Sequence, residues 1–137
     1  MIKGAGIFLF SESTKKVLLC RRSDSLCWAN FGGTLEINET PYQCAVRELY
    51  EEAGLTHSID YRIIGKKAVH VKKMSNFEYY SYVGLCSGEL DAKINNESID
   101  YGWFSYWQVP VELHFGVELS LYSPGVNLFY NKLIGNV

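Results

Sequence analysis

Residues 32–55 read GGTLEINETPYQCAVRELYEEAGL, and this stretch contains one helix with well-marked ends. Thr40 and Gln43 have the T-x-x-Q spacing of a capping box, and Pro41 occupies the first helical position between them. Gly54 stands where a residue in the left-handed conformation commonly ends a helix. The segment therefore predicts a helix over residues 41–53, whose buried stripe consists of Tyr42, Ala45, Val46, Leu49 and Ala53.

Three glutamates form a second face of the same predicted helix. Glu48, Glu51 and Glu52 are spaced i, i+3 and i+4, so they fall within an arc of about 100° that is centred away from the apolar stripe. Like charges at this spacing cost roughly 0.2–0.5 kcal/mol per pair, and a hard cation such as Mg²⁺ or Mn²⁺ would relieve the repulsion. Because Mg²⁺ usually binds one or two carboxylates together with substrate phosphates, the pattern indicates a phosphate-bearing substrate. The alternative is a solvated acidic helix face.

The residues around this acidic face follow a longer pattern, G-x5-E-x7-R-E-U-x-E-E-x-G-U, in which U is aliphatic. Its nine defined positions are Gly33, Glu39, Arg47, Glu48, Leu49, Glu51, Glu52, Gly54 and Leu55. The pattern resembles the Nudix box, the signature of the Nudix hydrolases, and it spans residues 33–55. A looser likeness to small MutT-type members covers most of the chain through LLCRR, WANFGG and a later Trp-Phe strand. Phe31 departs from the proline that many members have before the two glycines.

The resemblance implies a fold, a reaction and a set of residue roles. The family fold is an α/β/α sandwich with a mixed central sheet. Its members hydrolyse the pyrophosphate bond of a nucleoside diphosphate linked to a group X, with Mg²⁺ or Mn²⁺ as cofactor. Arg47 matches the arginine that orients the glutamates, whereas Gly33, Glu39 and Gly54 match structural positions. The family's metal-ligand positions are matched by Glu48, Glu51, Glu52 and the main-chain carbonyl of Gly32.

The rest of the chain predicts strands before and after this helix. Five segments carry β-branched or aromatic residues in the pattern of strands: 4–10, 16–22, 62–73, 77–86 and 100–106. The first two predict a hairpin, and Pro124-Gly125 followed by VNLFYNKLI predicts a final helix. Strands on both sides of a helix indicate an α/β fold with a mixed sheet. Since no linker or repeat divides the chain, we expect one Nudix-type domain over residues 1–137.

The general base is left open by the sequence. Glu48 can act as a metal ligand or as the base. Several members of the resembled family instead use a glutamate from a later loop. Glu97, Glu89 and Asp100 are the candidates for that role here, and a solvated loop residue is the alternative for each.

Candidate substrate contacts are a basic residue and several aromatics. Arg22 matches a frequently occupied substrate-side arginine of MutT-like members, with a surface salt bridge as the alternative. Aromatics such as Tyr80 and Trp103 either stack on a base or fill the core. Four lysines either line the cleft or form a solvated strand edge, namely Lys66, Lys67, Lys72 and Lys73.

Composition and charge limit the partners of the chain. Thirteen Lys and Arg residues against fifteen Asp and Glu residues give a net charge of −2, which argues against a nucleic-acid partner and an RNA-directed family member. No apolar run approaches the ~20 residues of a membrane span. The four cysteines form no CxxC pair, which favours reduced thiols in a cytoplasmic protein.

These observations predict a metal-dependent pyrophosphohydrolase that acts on a nucleoside triphosphate or on another nucleoside diphosphate-X compound. A non-catalytic nucleotide sensor on the same fold is one alternative, and a hydrolase of ADP-ribose, a nucleotide sugar or capped RNA is another. The expected partner is a small nucleotide, and a homodimer is left open because many family members are dimers.

Overall fold

A computed structural model describes residues 1–135 as one mixed sheet with three helices. The eight strands are β1 (Ile2–Ser11), β2 (Val17–Arg22), β3 (Trp28–Ala29), β4 (Phe31–Thr34), β5 (Arg62–Ile63), β6 (His70–Met74), β7 (Phe77–Cys86) and β8 (Ser98–Phe104). The helices are α1 (Pro41–Ala53), α2 (Phe115–Leu121) and α3 (Pro124–Leu133). Residues 136 and 137, the end of the predicted 1–137 domain, lie outside the described residues.

Strand β1 lies at the centre of the sheet. It runs parallel to β7 along its whole length, and its other edge pairs antiparallel with β4 and then with β2. Strand β2 continues the sheet to β3 and β8, whereas β7 continues it to β5 and β6. This arrangement brings the two glycines of β4 beside the first half of β1, directly under helix α1.

Helices cover both faces of the sheet. The side chains of β1 alternate between the two layers, because successive residues of a strand point to opposite faces. Ile7 and Leu9 pack with the buried face of α1, whereas Phe8 and Phe10 pack with residues of α2 and α3. The expected α/β/α sandwich with a mixed sheet is therefore confirmed. Within residues 1–135, no helix is both long enough and apolar enough to cross a membrane.

Helix α1 has the ends that its sequence predicts. The Thr40 side chain accepts a hydrogen bond from the Gln43 amide (3.1 Å), and the Gln43 side chain accepts one from the Thr40 amide (3.0 Å). Gly54 ends the helix with φ +71°, a left-handed conformation that glycine adopts without a steric penalty. The predicted hairpin of β1 and β2 and the helix after Pro124 are also confirmed.

One expectation about the elements is wrong, and one helix was not predicted. Residues 62–73 form two short strands, β5 and β6, because the chain leaves the ladder at Gly65, whose φ is +78°. The sequence also gave no warning of α2. Its N-cap is His114, whose Nδ1 accepts from the Gly116 amide at 3.1 Å, and histidine is not one of the residues by which helix starts are recognised.

Candidate active site

Arg47 is the hub of a charged network on the first helix. Its guanidinium donates to both carboxylate oxygens of Glu39 (2.7 and 2.9 Å), to Glu48 (2.9 Å) and to Glu51 (2.6 Å). A further bond to the Thr34 carbonyl (3.1 Å) ties the helix to the end of β4. The contacts with Glu39 and the other carboxylates raise the pKa of Arg47 and keep it charged. The same pairing with Arg47 lowers the pKa of Glu39.

Glu52 is the most enclosed of the helix carboxylates. It is only 3% exposed, and its Oε1 accepts a hydrogen bond from the Gly32 amide (3.1 Å). Burial raises the pKa of Glu52, and the neighbouring Glu48 and Glu97 raise it further. A buried carboxyl in this setting resists ionisation until a cation compensates its charge.

Glu97 joins Glu48 and Glu52 from a distant part of the chain. One carboxylate oxygen from each of the three residues lies within 4.8 Å of the other two, close enough for all three to bind one metal ion. The loop before β8 is held against the end of α1, because Asn95 donates to the Glu51 carbonyl (3.2 Å) and the Lys93 amide donates to the Ala53 carbonyl (2.8 Å). We therefore define the carboxylate cluster as Glu48, Glu52 and Glu97.

Gly32 and Gly33 lie directly against this cluster. The Gly32 amide is used by Glu52, so it points away from β1. The Gly32 carbonyl also points away from β1, because the amide and carbonyl of one extended residue face the same side in a non-hydrogen-bonded pair of an antiparallel ladder. At Gly33, a Cβ atom would come within 2.5 Å of Cδ of Glu48. The absence of that Cβ gives the Glu48 carboxylate its space.

Glu51 is placed differently from the other helix glutamates. It is exposed, and its carboxylate pairs with Arg47 instead of joining the carboxylate cluster. Of the later-loop candidates for a general base, Glu97 lies in the cluster, whereas Glu89 is exposed and Asp100 caps the amide of Tyr101 (2.8 Å).

A cavity of about 340 Å³ opens beside the two glycines, on the α2 side of the sheet. Arg22 lies in its wall and forms two hydrogen bonds to Asp24, of 3.0 and 2.9 Å. The wall also contains residues that were not predicted as substrate contacts, namely Asp24, Asn30, Tyr79 and His114. For Tyr79 a signal existed, since the alternation along β7 puts it on the opposite face from Tyr80.

Tyr80 and Trp103 do not lie in the wall of this cavity. Both pack against the core under α1, on the other face of the sheet. The Tyr80 hydroxyl donates to Glu78 (2.9 Å), and the Trp103 indole donates to the Leu90 carbonyl (3.0 Å). The structure thus brings Arg22 to the two glycines and leaves these two aromatics away from them.

The carboxylate cluster fits a hard divalent cation. It offers oxygen ligands from three side chains, with a main-chain carbonyl beside them, and such donors suit Mg²⁺ and Mn²⁺. The space that Gly33 leaves at Glu48 and the burial of Glu52 hold these oxygens together despite their like charges. The observed donors therefore match the cofactor that the sequence predicts.

The relationship of the chain to known proteins agrees with this geometry. A profile of the NUDIX domain matches residues 2–121. The chain belongs to the Nudix family. It is 26% identical over 109 residues to a Bacillus subtilis (strain 168) protein provisionally named an 8-oxo-dGTP diphosphatase, a match that covers 80% of this chain and 70% of that protein. It is 38% identical over 50 residues to the dihydroneopterin triphosphate diphosphatase of Haemophilus influenzae, covering 36% of this chain and 32% of that enzyme.

Solved Nudix structures share the fold. An Ap4A hydrolase from C. elegans superposes with a TM-score of 0.74 at 17% identity, over 96% of this chain and 98% of that chain. A Nudix hydrolase from Nitrosomonas europaea gives a TM-score of 0.66 at 26% identity, over 83% of this chain and 63% of that chain. The prediction of a Nudix pyrophosphohydrolase with the Nudix fold is therefore confirmed.

Proposed function

We propose that this Nudix hydrolase uses Mg²⁺ or Mn²⁺ to hydrolyse the pyrophosphate linkage of a nucleoside triphosphate or of another nucleoside diphosphate-X compound. The observation that carries the proposal is the carboxylate cluster, which contacts Gly32 and Gly33; these glycines line a cavity of about 340 Å³ that also has Arg22 in its wall. The names of the relatives, which include two diphosphatases of nucleoside or pterin triphosphates, support the same reaction class.

Glu48, Glu52 and Glu97 are the proposed metal ligands, together with the carbonyl of Gly32. Glu51 lies outside this cluster, and its Oε1 accepts a hydrogen bond from Arg47 at 2.6 Å. When bound, a divalent ion supplies charge neutralisation for the diphosphate and a water of lowered pKa. The four ligands are supplied by three separate segments: β4, α1 and the loop before β8.

The other residues of the box act by positioning. Arg47 donates one hydrogen bond to Glu48 and two to Glu39, and the bonds to Glu39 fix the guanidinium, so the helix carboxylates keep a fixed geometry. Arg22 contributes positive charge for a substrate phosphate, and the phosphate must displace Asp24 from its guanidinium. A carboxylate of the cluster serves as the general base toward water, and Glu48 and Glu97 are the two candidates.

Turnover over a nucleotide panel tests this function. The panel contains nucleoside triphosphates, ADP-ribose, nucleotide sugars and capped RNA, each with Mg²⁺ or Mn²⁺, and phosphate release is read with and without added pyrophosphatase. Glu52→Gln should lower kcat at least about a hundredfold, the order expected for a group that organises the reacting charge. Glu112→Gln, an exposed glutamate outside the cluster, is the matched control and should leave kcat unchanged.

The outcomes separate the alternatives. Saturable nucleotide binding without product would instead support the non-catalytic sensor, and full activity of Glu52→Gln would remove the proposed role of the cluster. Cytoplasmic location is part of the proposal, supported by four cysteines that form no disulfide within residues 1–135. Mass measurement in solution decides whether the enzyme is a homodimer.

A further inference from the structure

Lys72 is the only half-buried member of the lysine group at residues 66, 67, 72 and 73. In the ladder of β6 and β7 it is paired with Tyr79, and Lys73 is paired with Glu78. Directly paired residues share a face of the sheet. Lys72 and Tyr79 therefore face the cavity, and both contribute to its wall, whereas Lys73 lies with Glu78 on the other face.

The ammonium of Lys72 has no carboxylate partner within ion-pair distance in the part of the chain that the structure describes. Lys72 is half-buried, and this burial lowers its pKa. Its Nζ lies against Gly116 at the start of α2, so close that a Cβ on that residue would overlap it. Lys72 is thus a half-buried cation in the wall of a cavity, without an ion-pair partner among residues 1–135.

Two further basic side chains share this wall. Arg22 donates hydrogen bonds to Asp24. Nδ1 of His114 accepts a hydrogen bond from the Gly116 amide, so the neutral ring carries its proton on Nε2. Gly32 and Gly33 of β4, which contact Glu52 and Glu48, line the cavity, and so does Lys72 of β6. The cavity therefore extends from the glycines that contact the carboxylate cluster to a lysine without an ion-pair partner in the described residues.

The sheet register fixes how far Lys72 lies from these glycines. Lys72 pairs with Tyr79, Tyr79 with Gly4, and Gly4 with Thr34, which follows Gly33. Three steps of roughly 4.8 Å between strands separate β6 from β4 by about 14 Å at the backbone. This span is longer than a diphosphate even after the lysine side chain covers part of it. Lys72 thus faces a part of the substrate beyond the linkage that is hydrolysed.

We propose that Lys72 binds a second anionic group of the substrate, a phosphate or carboxylate that lies beyond the hydrolysed diphosphate. The inference rests on the proposed function of the same site and narrows its substrate class to nucleotides that carry this extra charge. Such a group can belong to a triphosphate, to the group X or to the nucleoside side.

Three substrate pairs distinguish these sources, since the members of each pair differ in one anionic group. The pairs are ATP with ADP, UDP-glucuronate with UDP-glucose, and NADPH with NADH. Binding is measured by titration calorimetry in the presence of Ca²⁺, and kcat/KM is measured with Mg²⁺. The measured quantity is the preference for the anionic member of each pair, in wild type, Lys72→Met and Lys73→Met.

We expect wild type to prefer the anionic member in at least one pair, and Lys72→Met to reduce that preference by roughly tenfold to a hundredfold, as for a lost charge-assisted hydrogen bond. Lys73→Met removes the same charge from the opposite face and should change the preference by less than about twofold. Lys72→Arg should retain most of the preference for the anionic member. The melting temperature of each variant shows whether it still folds.

The inference is overturned if wild type binds both members of every pair equally, or if Lys72→Met weakens both members of a pair to the same extent. Equal losses in Lys72→Met and Lys73→Met would also overturn it, because they would indicate a general effect of net charge. An absence of turnover would contradict the proposed function alone, since the calorimetric preference would still report on Lys72.

Discussion

Replacement of Gly33 by alanine tests the packing that holds the carboxylate cluster together. The new Cβ would come 2.5 Å from Cδ of Glu48, whereas carbon atoms in contact normally lie about 3.5–4.0 Å apart. The Glu48 carboxylate must therefore move by about 1 Å or more. The backbone at Gly33 is not left-handed, so alanine itself is accepted without strain there.

The expected effect on function is large, and the effect on stability is small. A displacement of about 1 Å at a group that positions reacting atoms costs on the order of a hundredfold in rate. Glu48 is the far end of a flexible side chain and loses at most its single bond to Arg47, worth about 1.5–3 kcal/mol. Replacing a glycine lowers the conformational entropy of the unfolded chain, which stabilises the folded state by about 0.4–1 kcal/mol. We therefore expect a net destabilisation of less than about 2.5 kcal/mol.

The assay combines Mn²⁺ titration by calorimetry, kcat on the best substrate of the panel, and urea unfolding. Gly33→Ala should weaken Mn²⁺ binding and lower kcat about a hundredfold, with a single cooperative unfolding transition. Gly88→Ala is the matched control, because a Cβ there meets only Oγ of Ser13 at 3.5 Å, an ordinary contact. If Gly33→Ala bound Mn²⁺ and turned over substrate like wild type, the position of Glu48 would be unimportant and the reasoning would fail.

Three further predictions concern stability. Because burial raises the pKa of Glu52, this carboxyl keeps its proton to a higher pH in the folded state than in the unfolded state. The metal-free protein should therefore lose stability above about pH 4.5, by at most about 1.4 kcal/mol per pH unit. Urea unfolding of Glu52→Gln should show no such slope. Arg47→Met leaves Glu39 enclosed without its partner and should cost about 3–5 kcal/mol at pH 7; since the pKa of Glu39 is lowered, the cost should shrink as the pH falls below about 4 in the same assay. Thr40→Ala removes the helix cap and should cost about 1 kcal/mol in thermal unfolding, with kcat unchanged.

The sequence predicted α1 well because all of its determinants are local. The capping box of Thr40 and Gln43, and the left-handed Gly54, specify both ends without reference to the rest of the chain. The region 62–73 was predicted less well because pairing with β7 is a long-range event. Its amides at Ile64 and Val69 still bond to β7, but the residues between them do not. The short helix α2 lacks both a conventional cap and a long apolar stripe, so no local sequence pattern predicted it.

The carboxylate cluster shows the same division between local and long-range information. Helical spacing puts Glu48, Glu51 and Glu52 on one face, but spacing does not decide where each carboxylate points. That choice depends on Arg47, which donates one hydrogen bond to Glu48 and one to Glu51, while Glu52 turns to the Gly32 amide.

Glu97 takes the third position in the cluster because the loop before β8 is hydrogen-bonded to the end of α1. Asn95 and Glu51, which form one of these bonds, are 44 residues apart in the sequence. A ligand set of this kind follows from competition between one guanidinium, one backbone amide and one loop for three neighbouring carboxylates. A divalent ion enters the same competition, because an ion bound at Oε1 of Glu51 would replace the hydrogen bond from Arg47, which is worth about 1.5–3 kcal/mol. The residues of the box can therefore be read from the sequence, whereas their division between the cation and Arg47 is a property of the folded site.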